Sequence, residues 1–424
     1  MIDYSEGMLG APEGFRPNLA ARQGRGSRWK TAFLAATVAA VLFLALLIAS
    51  IVDKSFGYVL TMAEVEPSTL VRAGLPLERQ DSAALAGTLR DNISRRLAIK
   101  LEAESPLATR PRAELLELIL SEVVKARVVA TWSLSESLLA RGRIEDFRRA
   151  EAPEGRLYFR AWVNPSLLAN PQSSTAILAG LKGAILGSLL TILFTVAMAL
   201  PLGVGAAIWL EEYALDSRLN RIIQTNIYNL AGVPSIIYGM LGLALFVRAL
   251  EPLSSGAVFG LAGGADGGSS GRTIISASLT LAILILPVVI INAQEAIKAV
   301  PAGLRQSSLA VGATKWQTIL HHVLPASLDR ILTGAVLAIS RALGETAPLV
   351  VVGASTFLSQ DPTGPFSKFT TLPIQIYQWT ARPQPEFRNL AAAAILVLLV
   401  LLLSLNAAAI FARNKYRRQK RLGR

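Results

Sequence analysis

The sequence predicts an all-α integral membrane protein with six transmembrane helices and a mainly helical extracytoplasmic insert between the first and the second. Three observations carry that reading. Apolar runs of bilayer length recur along the chain. Hydrophobic residues make up 52% and charged residues 17% of the 424 residues, too apolar for an ordinary water-soluble protein. The basic excess is gathered at the two ends: between Asp53 and Pro171 there are 17 Lys and Arg against 16 Asp and Glu, which leaves 25 against 13 for the rest. Arg16, Arg22, Arg25, Arg28 and Lys30 precede the first apolar run, and Arg413, Lys415, Arg417, Arg418, Lys420, Arg421 and Arg424 follow the last. Flanking cations of this kind hold a chain end on the cytoplasmic side. The formal charge of +13 therefore reports topology, not nucleic-acid binding.

In order, residues 1–30 read as a basic cytoplasmic tail and residues 31–52 as the first span, 22 apolar residues that at about 1.5 Å each cross a hydrocarbon core of about 30 Å. This run is too long for a signal-peptide core and lacks a convincing cleavage site, so it is expected to stay as an anchor. Residues 53–172 have the composition of a soluble segment. Leu115, Leu116, Leu118, Ile119 and Val123, and Leu85, Leu89, Ile93 and Leu97 at four-residue steps, predict helices with one apolar face. The second span, Leu178 to Leu210, is long enough for a kink or break near Pro201, Gly203 and Gly205. The third runs from about Ile227 to Ala249, with Gly232, Pro234, Gly239 and Gly242 permitting close approach or local unwinding. Ser254 to Gly271 is a glycine- and serine-rich outer loop. The fourth span is Ile274 to Ala293, the fifth about Ile331 to Val352, and the sixth Leu390 to Phe411. Residues 414–424 form a second basic cytoplasmic tail.

The stretch Gln306 to Pro325, QSSLAVGATKWQTILHHVLP, joins spans four and five and has the grammar of two short helices. Pro301 can open the first and Gly312 close it. Thr314 with Gln317 three residues on is a capping box, and Trp316, Ile319, Leu320 and Val323 form an apolar stripe that needs a binding surface. Leu324 and Pro325 end the pattern. In the fifth span, SRALGETAP places Arg341 and Glu345 four residues apart in an apolar run. Facing lipid, the arginine alone would cost at least ~2.5 kcal/mol, so both are expected to face the bundle and to pair. The pair either fixes helix packing or lets the planar donors of Arg341 meet a passing oxyanion while Glu345 orients them. Arg248, at the outer end of span three, reads as an interfacial snorkelling residue, with a pathway cation as the alternative.

The glycine at 312, nine residues, then His322, Val323, Leu324 and Pro325, resembles the cytoplasmic coupling motif of ABC-importer permeases, with Gln306, Ser307 and Ser308 where Glu-Ala-Ala is usual. Together with SRALGETAPL, PLGVGAAIWLEEYA, GVPSIIYGMLGLALFV and TTLPIQIYQW, it makes residues 175 to 413 similar to the second permease subunit of bacterial high-affinity phosphate ABC importers. The resemblance implies a six-helix permease core over residues 173–413 in the inner membrane, with phosphate as the transported ion. It implies a complex with a homologous permease subunit, two ATPase subunits and an extracytoplasmic phosphate-binding protein. It also implies that Arg341 and Glu345 flank the translocation pathway, and that Gln306, Ser307, Ser308, Gly312, Trp316, Leu324 and Pro325 form the ATPase-coupling element. A permease for another oxyanion, a secondary anion transporter, and a membrane-anchored assembly protein are the alternatives.

No G-x-x-x-x-G-K-[ST] loop occurs, so ATP hydrolysis is expected on a separate subunit, and no nucleophile with its base points to an enzyme. The chain has no cysteine, and adjacent His321 and His322 read as polar surface, so neither a metal nor another cofactor is expected.

Overall fold

The computed structural model describes residues 18–63, 65, 69–71, 75, 77, 80–124, 126–260, 271–354, 358 and 361–422. Most of the amino-terminal tail and residues 261–270 of the expected outer loop lie outside them. The chain divides into two units, Met1–Val52 and Asp53–Arg424. The first consists, as far as it is described, of most of helix α1 (Leu19–Ser55), whose apolar side chains from Phe33 to Ile48 stand exposed along the run. Trp29 stacks on Phe33 at its start, with ring centroids 5.6 Å apart.

The second unit begins with a feature that helical periodicity did not disclose, a three-stranded antiparallel sheet. Strand β1 (Phe56–Ala63) is central, between β2 (Ala126–Thr131) and β3 (Arg156–Ala161). Val59 stands opposite Thr131 on one side and Tyr158 on the other. All three strands are rich in β-branched and aromatic residues, which fit a pleated surface. Helices α2 (Ser82–Asn92), α3 (Arg95–Glu104) and α4 (Arg112–Ile119) follow β1 and enclose a core of Leu85, Leu89, Leu115, Ile119 and Val123. The expected face from Leu85 to Leu97 is split between two helices. Ser94 accepts the Leu97 N–H as the cap of α3, so the chain is extended at Ile93. Short helices α5 (Leu134–Leu139), α6 (Arg141–Glu151) and α7 (Pro165–Ala169) complete the insert.

Helix α8 (Lys182–Ile208) runs through Pro201 without a break and ends in a wide turn over Trp209–Tyr213, so of the kink or break expected there no break occurs. The third span does break, at Gly232–Pro234, where its residues permit local unwinding. Helix α9 (Arg218–Ala231) and helix α10 (Ser235–Gly242), which widens over Leu243–Ala249, meet at a bend of 103°. Gly232 ends α9 and Pro234, with extended backbone (ψ 135°), stands directly before α10, so the glycine and the proline together stop one helix and start the next. After α11 (Glu251–Ser254) comes α12 (Ile274–Lys298), the most buried of the long helices and the one against which α8, α9 and α10 pack. Helices α13 (Ala302–Ala310) and α14 (Lys315–Thr318) lead through Ile319–Val323 into α15 (Leu324–Gly344), which also packs on α12. Then follow α16 (Ala347–Val352), α17 (Leu372–Thr380) and α18 (Pro385–Leu422). Among the described residues five helices are long and apolar enough to cross a membrane, and the bent α9–α10 pair makes a sixth if counted as one span.

Small side chains set the helix spacing, as packing in a bilayer requires where no hydrophobic force drives helices together. Ser278 Oγ on α12 donates to the Thr191 carbonyl of α8 at 3.1 Å, and Thr195 Oγ1 returns the contact to the Ser278 carbonyl at 3.3 Å. A Cβ on Gly242 would lie 2.1 Å from Thr280 Oγ1 on α12, and one on Gly239 would lie 2.6 Å from the Pro348 Cα on α16. The insert is joined to one end of this bundle. Val59, Trp162 and Leu167 share one core with Leu181, Ala184, Trp379 and Phe387. Gln172 accepts the Leu358 N–H at 2.6 Å and donates to Gln375, and Lys182 pairs with Asp361 at 2.7 Å.

We expect Gly242→Val to force α10 away from α12 at an overpacking cost of about 1–3 kcal/mol. A lowered melting temperature of the purified protein in detergent checks this; an unchanged one would show that the contact is slack.

Candidate functional site

The elbow between α12 and α15 is built from local capping. Pro301 precedes the first residue of α13, and Gly312 takes φ +87° after its end, a left-handed conformation open to glycine at no steric cost. The Thr314–Gln317 capping box is formed in full: Thr314 Oγ1 accepts the Gln317 N–H at 3.2 Å, and Gln317 Oε1 accepts the Thr314 N–H at 2.8 Å. The expected apolar stripe divides. Ile319 and Val323 are buried, Val323 in a core with Ala293, Ile297 and Ile331, whereas Trp316 is 56% exposed and Leu320 is exposed beside it. Leu309 and Val311 add to this outward face.

Of the residues assigned to coupling, Gln306, Ser307, Gly312 and Trp316 are exposed on the elbow. Ser308 is not; it is buried, with its hydroxyl 2.9 Å from that of Thr318, and it pins α13 to α14. Leu324 and Pro325 do not end the helix either. The Leu324 N–H bonds to the Ile319 carbonyl, five residues back, and this wider turn makes room for the proline ring, so Lys315–Gly344 is one continuous helical run.

Sequence reading missed what holds the elbow. Glu212, at the end of α8, accepts two hydrogen bonds from Arg305 of α13, from Nε at 3.0 Å and from an Nη at 2.8 Å. The same guanidinium donates to the Val300 and Ile297 carbonyls at 2.7 and 2.9 Å, closing the end of α12. Glu211 beside it accepts from Gln294 at 2.8 Å and lies 3.4 Å from Lys298 Nζ. The Lys315 ammonium stands 5.2 Å from the centre of the Tyr213 ring, a cation–π contact. The trace of this arrangement in the sequence is two adjacent acids directly after an apolar run, where carboxylates drawn from water need cations.

Arg341 and Glu345 lie at the other end of α15. Arg341 is in its last turn, and Glu345 stands just past the end with extended backbone (ψ 124°), so the fifth span breaks there and resumes as α16. The two do not share a continuous helix face, yet they pair, Nε to Oε1 at 3.4 Å, with side chains 45% and 18% exposed. One residue earlier, Ser340 Oγ donates to Asn406 Oδ1 of α18 at 2.7 Å. With Leu324 and Arg341 17 positions apart, the elbow and the ion pair are about 25 Å apart along one helix. They are two sites joined by a rod.

A model of the family described as "Binding-protein-dependent transport system inner membrane component" matches residues 199–417, half of the chain. The chain belongs to that family. The matched segment runs from the end of α8 through the elbow and the α15 break into α18. The phosphate transport system permease protein PstA of Yersinia pestis is 37% identical over 240 residues, 56% of this chain and 74% of its own length. The probable ABC transporter permease protein YqgI of Bacillus subtilis is 30% identical over 256 residues, 57% of this chain and 80% of its own length. An inward-facing structure of the MetNI methionine ABC transporter aligns at 20% identity and a TM-score of 0.37, over 57% of this chain and 94% of that one.

Replacing Arg305 by Leu strands the mostly buried Glu212 carboxylate and should destabilise this family member by about 3–5 kcal/mol. The Glu212→Gln/Arg305→Leu double variant should recover part of the loss. Thermal unfolding of the four corners of the double-mutant cycle measures the coupling; additive losses would contradict it.

Proposed function

We propose that this chain is the transmembrane permease subunit of an ATP-driven phosphate importer in the bacterial inner membrane, forming half of the translocation pathway. The observation that carries the coupling half of this reading is the elbow: a folded, ion-paired loop that leaves Leu309, Val311, Trp316 and Leu320 in water is shaped to enter a groove on another protein. That protein is an ATPase subunit, contacted by Gln306, Ser307, Gly312 and Trp316 directly, while Ser308, Leu324 and Pro325 act by fixing the elbow's shape. Phosphate as the cargo is supported by the named function of the Yersinia relative.

In this reading the complex contains a homologous permease subunit, two ATPase subunits and an extracytoplasmic phosphate-binding protein; the chain itself hydrolyses nothing and holds no cofactor. The basic flanks put residues 1–30 and 414–424, and with them the elbow, on the cytoplasmic side, and residues 53–172 outside. Closure of the ATPases displaces the elbow, and α15 carries the displacement to its far end. There the partly exposed Arg341 offers a fork of donors to phosphate, and Glu345 orients it and supplies countercharge between ions. Discrimination among oxyanions rests mainly with the binding protein.

Reconstituted in vesicles with its partners, Arg341→Gln should lower labelled phosphate uptake at least tenfold, the effect of losing a charged hydrogen bond of about 1.5–3 kcal/mol, while the complex still assembles and hydrolyses ATP. Undiminished uptake would make the pair a packing device. Gly312→Val should lose the left-handed turn and with it co-purification of the ATPase; retained co-purification at wild-type yield would remove the elbow from the coupling surface.

A further inference from the structure

The insert carries an apolar tip that the transport reading does not use. Leu138 and Leu139, at the end of α5, are 73% and 88% exposed, adjacent, and followed by exposed Arg141 and Arg143. Next to them the Tyr58 ring meets Phe159 edge-on at 5.7 Å, and the Arg141 guanidinium stands 5.9 Å from the centre of the Tyr58 ring. Phe159 is itself half exposed.

Two placements put this tip at the level of the membrane surface. Asp53 is the first charged residue after the apolar run 31–52, and both its carboxylate oxygens hold Ser135 of α5, the backbone N–H at 2.6 Å and the hydroxyl at 3.1 Å. Independently, Val59 of β1 packs in one core with Leu181 and Ala184, where α8 begins, so the sheet stands against the ends of the apolar helices and not far beyond them. Helix α5 is fixed to that sheet: the Tyr58 N–H donates to Ser137 Oγ at 2.9 Å, and a complete Ser133–Glu136 capping box starts the helix. The leucines are therefore presented by a rigid mount, not by a loose loop.

The geometry points to a lipid seat: Leu138 and Leu139 dip into the leaflet on the insert's side, with Arg141 and Arg143 on lipid phosphates and Tyr58 and Phe159 at headgroup level. The chemistry is that of an interfacial anchor, in which apolar side chains enter the acyl boundary, amphipathic rings collect at the headgroups and cations meet phosphate. Such a seat would steady the insert without covering the bundle's outer mouth. A protein partner at the same tip would not need the membrane level, the arginine pair and the aromatic collar to coincide.

The absence of cysteine from the sequence makes the test direct. The full chain with a single nitroxide label at Leu139→Cys, and separately at Ile99→Cys on exposed α3, is placed in nanodiscs of phosphatidylcholine and phosphatidylglycerol at one chain per disc. Relaxation by dissolved oxygen and by a water-soluble nickel chelate is then measured. The label at 139 should favour oxygen over chelate several-fold more than the label at 99. Equal chelate access at the two positions, which is what a protein-docking tip would show with no partner present, overturns the proposal. Both side chains are exposed, so neither label disturbs a core, and unchanged melting in detergent verifies this.

Discussion

The ion pair between Arg305 and Glu212 is the constraint on which the elbow's shape depends. Glu212 ends α8, Arg305 stands in α13, and the guanidinium also closes the last carbonyls of α12. One side chain thus ties three elements, and it does so where carboxylates leaving an apolar helix would otherwise be stranded. Without it, α13 would lose its tie to α8 and to the end of α12, and Leu309 and Val311 would no longer be fixed beside Trp316 and Leu320. With it, the outward face has a fixed relation to α8, α12 and α15, and a push on that face is transmitted to the bundle.

Transmission needs stiffness in one place and a break in another, and the helices supply both. From Lys315 to Gly344 the helical run is continuous, passing Pro325 by means of a wider turn. It ends at Glu345, beside the ion pair with Arg341. The bend of 103° at Gly232–Pro234 is a second break, and α10 beyond it packs against α16, the segment after the first. Gly239 against Pro348 and Gly242 against Thr280 bring α10 so close to α16 and α12 that neither can slide without carrying the others. The two interruptions thus sit on helices that touch.

Features encoded by neighbouring residues were legible in the sequence. Gly312, the Thr314–Gln317 box and the apolar length of α12 are local, and each stands where its residues predicted. The family resemblance rested on blocks that all fall within the matched segment 199–417. What escaped was set by distant partners. Arg305 and Glu212 are 93 residues apart, and nothing near either names the other. The sheet pairs Val59 with Thr131 and Tyr158 across long connections, and β1 lies in the segment 53–172, which was searched for helical periodicity, so its alternation went unread. Trp316 and Ile319 carry the same helical signal, but only the packing of α12 decides which is buried. Ser308 was assigned by its position in a motif, whereas its contact with Thr318 gives it a structural task.

The central claim is that the elbow is where a separate ATPase grips this chain. The direct measurement is a photoreactive label on a single cysteine at Trp316→Cys, with a second at Ser307→Cys, in membranes containing the co-expressed importer subunits. The account predicts adducts of both positions with the ATPase subunit, in amounts that change between nucleotide-free and ATP-bound states. Adducts with lipid or with other permease chains alone, insensitive to nucleotide, would contradict it.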